Sequence, residues 1–523
     1  MSRSLPSSTW RAGLITLIGL VAVILAAPLP ASAQHRAKLS RSLQHELASG
    51  QAAVDVVYEG PQAEVDRLAG TYAVQVKKRL PTGAVLGGST RQIGALAMDA
   101  NVFGLSRDDR VIGMSAVTVQ STGASQLWKA AGNSGNFSGL TGKGIGIAVI
   151  DSGIARHADL NRRLALSVDF RGELTGEEVN PSDEYGHGTH VASIIAGSGV
   201  GSRTAEGSVY VGMAPGAHLL SLRVLGADGS GYVSDVLEAI HWAIQNKDKY
   251  RIRVINLSLG HPASGSPQDD PMAKAVERAV EAGLVVVASA GNLGKLEDGT
   301  PVVGAIVSPG YTPGALTVGA LNTRGTVERS DDILATFSSR GPVGSPDDPS
   351  GWQMKPDLVA PGNAVVAAVS EESALWRDHP QRRVFGENDG TYLKLSGTSM
   401  SAAVVSGAVA QILQAQPRLT AREAKFALQY TAQFMGGFGL VEQGAGSLNV
   451  SLAANLVKER TVAIEPWNVI GGEEVRGGEF YFADGMVWNA GVVWGGGVVW
   501  GGGVVWGGGV VWGGGVVWGG GVV

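Results

Sequence analysis

Four segments carry side chains that could act together on an acyl carbon. IAVIDSG holds Asp151, YGHGTHVASIIAG holds His187 and His190, VVVASAGN ends on Asn292, and LSGTSMSAAVVSG places Ser399 at the mouth of an apolar run. A carboxylate can fix one tautomer of an imidazole, and an imidazole with an ordinary pKa of about 6.5 can accept a proton near neutrality. A serine hydroxyl becomes a nucleophile when such a base stands beside it, and an amide N–H can steady the oxyanion that results. Each residue also has a plainer reading. Asp151 fits a solvated turn, and Ser399 fits a helix cap. The two histidines could bind a metal, but the glutamate of H-E-x-x-H is missing and no third ligand follows at a telling spacing. Gly142, Gly144 and Gly146 precede their strand, whereas the glycines of a dinucleotide-binding fingerprint follow one.

Positioning these groups requires a particular scaffold. From Gly142 to about Val457, apolar strands alternate with amphipathic helices: GIGIAVID then HVASIIAG, HLLSLRVL then VSDVLEAIHWAI, RVINLSLG then MAKAVERAVEAG, LVVVASAGN then ALTVGAL. Continuously apolar strands separated by helices predict an α/β fold, a doubly wound and mostly parallel sheet with helices on both faces. In such sheets, functional groups gather beyond the carboxyl ends of the strands. Asp151, Ser258 and Asn292 all stand at such ends.

Ahead of this region, Val54 to Val119 reads as a small α+β unit: strand-like VDVVY, helical QAEVDRLAG, strand-like YAVQVKKRL, helical RQIGALAMDA and strand-like VIGMSAV. The Gly-, Ser- and Asn-rich stretch at 120–140 is the expected boundary. The first 33 residues have the three parts of a secretory signal: Arg3 and Arg11, the apolar run from Ala12 to Ala27, then Pro30 and Ala31-Ser32-Ala33. Export is therefore expected. The net charge is −5, and loss of that segment leaves −7, which gives no electrostatic reason to bind nucleic acid. With no cysteine in 523 residues, disulfides, zinc–cysteine sites and a thiol nucleophile are excluded.

The motif series D-S-G, H-G-T-H-V-A, S-L-G, A-G-N and G-T-S-M-S-A, in this order over about 120–457, resembles the subtilisin-like serine proteases. The resemblance implies a serine endopeptidase acting on protein or peptide substrates, with Ser399 as nucleophile, His187 as base and Asp151 as its orienting partner. It further implies that Asn292 supplies the oxyanion hole. Ser258, Leu259 and Gly260 would lie along the substrate and form one wall of the P1 pocket, and Gly291 would also bind substrate. No cofactor is implied for catalysis. Structural calcium is a family habit that would involve Asp159 in HADL. Residues 34–120 would be an inhibitory prosegment, released by self-cleavage between Val111 and Ser134, and 121–459 the catalytic domain.

The chain departs from the family in three places. Ala403 and Val404 replace the usual proline and histidine after the nucleophile, His261 replaces the glycine after S-L-G, and polar inserts lie near Pro346 to Gln353 and Glu371 to Asp389. Residues 460–485 read as a linker. From Met486 the chain settles into V-V-W-G-G-G, with Trp488, Trp494, Trp500, Trp506, Trp512 and Trp518 six apart. Stacked V-V-W strands could form a small sheet or solenoid, serving attachment to a surface, glycan or envelope, or self-association. An alternative function follows: a catalytically silent adhesive protein in which the repeat does the binding.

Overall fold

The computed structural model describes most of the chain from Ala37 to Val522. Residues 1–36, 108–113, 131–136, 345–352 and 460–466, with some shorter breaks, lie outside the described residues. The expected secretory signal and the insert near Pro346 fall largely in those segments, and for the tail only the backbone is described.

The chain divides into two compact units, Met1–Val111 and Ile112–Val523. In the first, five strands pair in the order Lys38–Leu39, Gly104–Arg107, Val54–Glu59, Gly83–Gly88, Gln75–Leu80. In Val54–Glu59, alternate residues are buried, so Val54, Val56 and Tyr58 face a core shared with Val65 and Leu68 of the helix Gln62–Tyr72. The second helix, Thr90–Leu96, starts on a capping box between Ser89 and Gln92.

Of the expected strand VIGMSAV, residues 111–113 lie outside the described residues and the rest, from Met114, is helical. Met114–Ser121 is a helix belonging to the second unit. Its β-branched residues suggested a strand, but Val117 and Val119 are buried, and Arg329 donates to Ser121 O at its end. The boundary accordingly lies before this helix rather than near residue 120.

The second unit is built on seven strands: β1 (Gly146–Asp151), β2 (Leu164–Asp169), β3 (His218–Arg223), β4 (Ile252–Leu257), β5 (Val285–Ser289), β6 (Leu316–Asn322) and β7 (Leu358–Pro361). They lie in the order β2-β3-β1-β4-β5-β6-β7, every neighbouring pair parallel, with short antiparallel additions on β2 and β6. Four helices matter for the site: α1 (His187–Ala196), α2 (Val233–Asn246), α3 (Pro271–Glu281) and α4 (Thr398–Ala415). Successive residues of β1 point to opposite faces. Ile147 and Val149 pack with α1 and α4, while Ala148 and Ile150 pack with α2 and α3. Both faces are therefore covered, which is why these strands are apolar throughout.

α4 runs through the core, and every residue from Met400 to Leu413 is buried. A helix apolar all round belongs in an interior. Ala403 and Val404, where the family has proline and histidine, sit fully within this packing.

Residues 467–483 do not form the expected linker. Trp467–Ile470 and Glu473–Arg476 make a hairpin bound to the second unit: Val469 O accepts from Gln126, Asn468 bonds Asn449, and Glu473 accepts from the Arg329 and Ser330 backbone. Within the tail, alternate repeats pair in parallel and in register. Val492–Trp494 pairs with Gly503–Trp506 and that with Gly515–Trp518, while Gly497–Trp500 pairs with Gly509–Trp512 in a second sheet. Each strand thus pairs with the one two repeats along, twelve residues away in sequence.

Candidate active site

Asp151 is the last residue of β1 and is wholly buried. Its Oδ1 accepts from His187 Nδ1 at 2.8 Å and from the Ser152 N–H at 2.8 Å. His187 begins α1, with its side chain 16% exposed. The loops carrying the two residues approach closely enough that Gly188 must lack a side chain, since a Cβ there would lie 2.1 Å from Gly153 O. Burial works against a charged imidazole at His187. The charge and hydrogen bond of Asp151, with Asp183 behind it, outweigh that penalty and hold the pKa above the ordinary value.

Asp183 braces this corner. Its carboxylate accepts from Ser152 Oγ, the Gly186 N–H, and both the N–H and hydroxyl of Thr189. Burial pushes its pKa up, and these donors to the charged form restrain the rise. His190 has a different role from His187. It is fully buried, its Nε2 donates to Leu393 O at 2.9 Å, and burial lowers its pKa to about 3. It is a neutral structural residue.

Ser399 is the second residue of α4, not its cap. Gly397 occupies the cap position and makes no side-chain cap bond. Of the first-turn N–H groups, that of Thr398 donates to Asn292 Oδ1 and that of Met400 to Gly397 O. Ser399 Oγ donates to Ser258 O at 3.1 Å, and Ser258 Oγ in turn donates to Ser399 O at 2.9 Å. Behind them, Ser406 Oγ donates to Asn256 Oδ1, and Asn256 Nδ2 donates to Ser258 Oγ. The Ser399 backbone is thereby tied to the end of β4.

Asn292 is tied in the same way. Its Oδ1 accepts from the Thr398 N–H at 3.0 Å and the Thr398 hydroxyl at 3.1 Å, and the residue is exposed. The Thr398 hydroxyl also accepts from the Gly291 N–H. Thr398 therefore couples the turn after β5 to the first turn of α4. A cleft of about 400 Å³ runs past His187, Ser258, Leu259 and Gly260 toward Tyr185 and Tyr232.

Two sets of contacts hold these residues: Asp151 and His187 with Ser152, Asp183 and Thr189, and Ser399, Ser258, Asn292 and Gly291 with Asn256 and Thr398. Sequence reasoning passed over Ser152, Asp183, Thr189, Asn256 and Thr398. Asn256 had a legible signal, a polar residue inside the apolar strand VINL.

Asp159 stands apart. It is 1% exposed, and its oxygens accept from the Gly201 N–H and the Tyr392 hydroxyl, both at 2.8 Å. Burial raises its pKa. A calcium ion needs several converging oxygens, whereas N–H and O–H donors occupy this carboxylate. Among the described residues no group of three or more His, Asp or Glu converges on a metal-sized space. Part of the companion loop Gly199 to Tyr210 lies outside the described residues.

The two histidines should separate in solution. In proton NMR of a Ser399→Ala protein, His187 titrates above the ordinary imidazole range and falls when Asp151→Asn removes its charged partner. His190 stays neutral down to acid pH. A His187 titration unmoved by Asp151→Asn contradicts the geometry.

The Subtilase family model matches residues 142–455, well over half of the chain. Serine protease AprX of Bacillus subtilis (strain 168) is 38% identical over 291 residues, which cover 55% of this chain and 60% of AprX. Subtilisin E of the same organism is 35% identical over 319 residues, covering 60% of this chain and 67% of its own. Among solved structures, sphericase is 30% identical, covering 59% of this chain and 92% of its own, with a TM-score of 0.47. Sequence match and site architecture agree, and the chain belongs to the subtilase family of serine-type endopeptidases.

Proposed function

We propose that this chain is an exported serine endopeptidase, made as a precursor, that cleaves peptide bonds through an acyl-enzyme at Ser399. The observation that carries the reading is the buried Asp151–His187 hydrogen bond of 2.8 Å, placed beside a helix N-terminus that presents Ser399. For attack, the Ser399 hydroxyl leaves Ser258 O for His187 Nε2. His187 takes the proton as Oγ bonds to the scissile carbonyl carbon, and the carbonyl oxygen becomes an oxyanion. The Ser399 N–H and Asn292 Nδ2 donate to it. His187 then protonates the leaving amine, and a water repeats the sequence on the acyl-enzyme, restoring Ser399. Asp151 keeps the proton on Nδ1 and steadies the imidazolium throughout.

The N-terminal unit is proposed to be the inhibitory prosegment. Its own core supports independent folding. Because Met114–Ser121 is built into the second unit, the cut that releases the prosegment falls at the start of the 111–134 window. Export is supported by the signal-like leader. Among the described residues no helix is long and apolar enough to cross a membrane.

A fluorophosphonate probe should label the mature protein, and Ser399→Ala should abolish labelling and leave the precursor uncut. Asn292→Ala should lower kcat by about 10²–10³-fold, the magnitude established for the same amide in subtilisin. A wild-type protein that is processed yet neither labels nor cleaves peptides would favour the adhesive alternative.

The tail is proposed to hold the enzyme at a surface, glycan or envelope. Support comes from its uncharged, in-register parallel stacking. Because 467–483 is bonded to the second unit, truncation should follow Ala483. Loss of cell retention without a change in sedimentation supports attachment. A change in sedimentation alone supports self-association, and no change in either defeats both.

A further inference from the structure

The two segments assigned to substrate, Ser258-Leu259-Gly260 and Ala290-Gly291-Asn292, leave the adjacent parallel strands β4 and β5 at their carboxyl ends. A side chain lying between them needs the gap to be open, and the glycines at 260 and 291 are what would open it. In this chain a third segment enters the gap. A Cβ placed on Gly260 would lie 2.8 Å from Val307 Cγ2, and one placed on Gly291 would lie 2.7 Å from Val307 Cγ1. The isopropyl group is the one side chain that meets both glycines, with Ser308 O 2.4 Å from the Cβ placed on Gly260 and Ser339 Oγ 2.9 Å from that on Gly291 closing the rest of the space.

Both segments hold the Val307 backbone in place. Its N–H donates to Ala290 O at 3.0 Å, and the next residue, Ser308, exchanges two hydrogen bonds with His261, at 2.9 and 3.0 Å. Tyr311 N–H donates to Val307 O at 3.1 Å. The preceding residue, Ile306, is buried in a separate cluster with Ala273, Ala290, Tyr311 and Val343. Val307 retains 8% exposure. The open cleft of about 400 Å³ is lined by Ser258, Gly260 and His261 and extends toward Tyr185 and Tyr232, and neither Gly291 nor Val307 is among its lining residues.

We propose that Val307 is the specificity-determining residue of this enzyme: it fills the P1 slot between Gly260 and Gly291 and restricts cleavage to peptides with a small residue, alanine or glycine, at P1. This rests on the peptidase reading and on the assignment of the two glycine segments to P1. A slot closed by a β-branched side chain excludes an aromatic P1 group by overlap. Removing even one or two carbons from such a wall changes discrimination by roughly 10–200-fold.

The test compares peptide substrates that differ only at P1, alanine against phenylalanine, on mature protein. Fluorophosphonate titration counts active sites, so that misfolded protein does not enter the rates. Wild type should prefer alanine by at least about 100-fold in kcat/KM, and Val307→Gly should raise the phenylalanine-to-alanine ratio by at least about 10-fold. Val307→Ala, a smaller cut less prone to disturb the backbone, should move the ratio part of the way, and isosteric Val307→Thr should leave it in place. A wild type that cleaves after phenylalanine as readily as after alanine overturns the proposal. So does a ratio unmoved in both Val307→Gly and Val307→Ala. A protein that neither labels nor cleaves either peptide overturns the peptidase reading itself and this proposal with it.

Discussion

Asp151 is a carboxylate with no exposure to water, and the site depends on how its charge is met. A buried charge is tolerated when it is paired and hydrogen-bonded. Here His187 Nδ1 and the Ser152 N–H meet it, and Ser152 Oγ passes on to Asp183, which holds the turn leading into α1. Turning His187 away would strand the charge, so its ring orientation is set by the cost of leaving Asp151 unpaired. The same bond raises the basicity of the ring against burial, keeping the imidazole useful as a base while it sits largely out of solvent.

The strands deliver the remaining groups. β1, β4 and β5 end on the same edge of one parallel sheet, so Asp151, Ser258 and Asn292 arrive together without long-range loops. α4 meets that edge end-on, and the burial of every residue from Met400 to Leu413 fixes it in the core. Two short polar links then fix the register: Ser258 with the Ser399 carbonyl, and Thr398 with Asn292 and Gly291. Each link uses a buried or half-buried polar group whose partner, if lost, is hard to replace inside a core. The precision of the site therefore rests on the backbone more than on the reacting side chains. Val307 shows the same rule acting on substrate choice, because the hydrogen bonds that close the wall also hold the side chain in the slot.

The scaffold was legible because its period was unambiguous. Apolar strands such as IAVI and VVVA can only be buried on both faces, and a helix such as AAVVSGAVAQIL can only be interior. Asp151, His187, Asn292 and Ser399 were legible because each stands beside small residues at the end of such an element. What escaped detection was carried by long-range contact. VIGMSAV read as a strand from its apolar and β-branched residues, but from Met114 the chain is helical, with Val117 and Val119 buried and Arg329 bonded to Ser121 O. Residues 467–483 read as a linker because the partners Asn449, Gln126 and Arg329 lie far away in the chain. The bonds of Gly201 and Tyr392 to Asp159 were hidden for the same reason, since both partners lie far along the chain. The steric role of Val307 was equally hidden, since spacing alone does not reveal which segment enters the gap between two others.

The central claim is that Asp151, His187 and Ser399 act as one unit. It is tested most directly by measuring the residual kcat of His187→Ala, Ser399→Ala and the triple alanine variant on one peptide, using protein processed in trans. The account predicts that each of the two single losses costs nearly as much as losing all three, the pattern established for subtilisin's own triad. Losses that multiply independently from one variant to the next would contradict it.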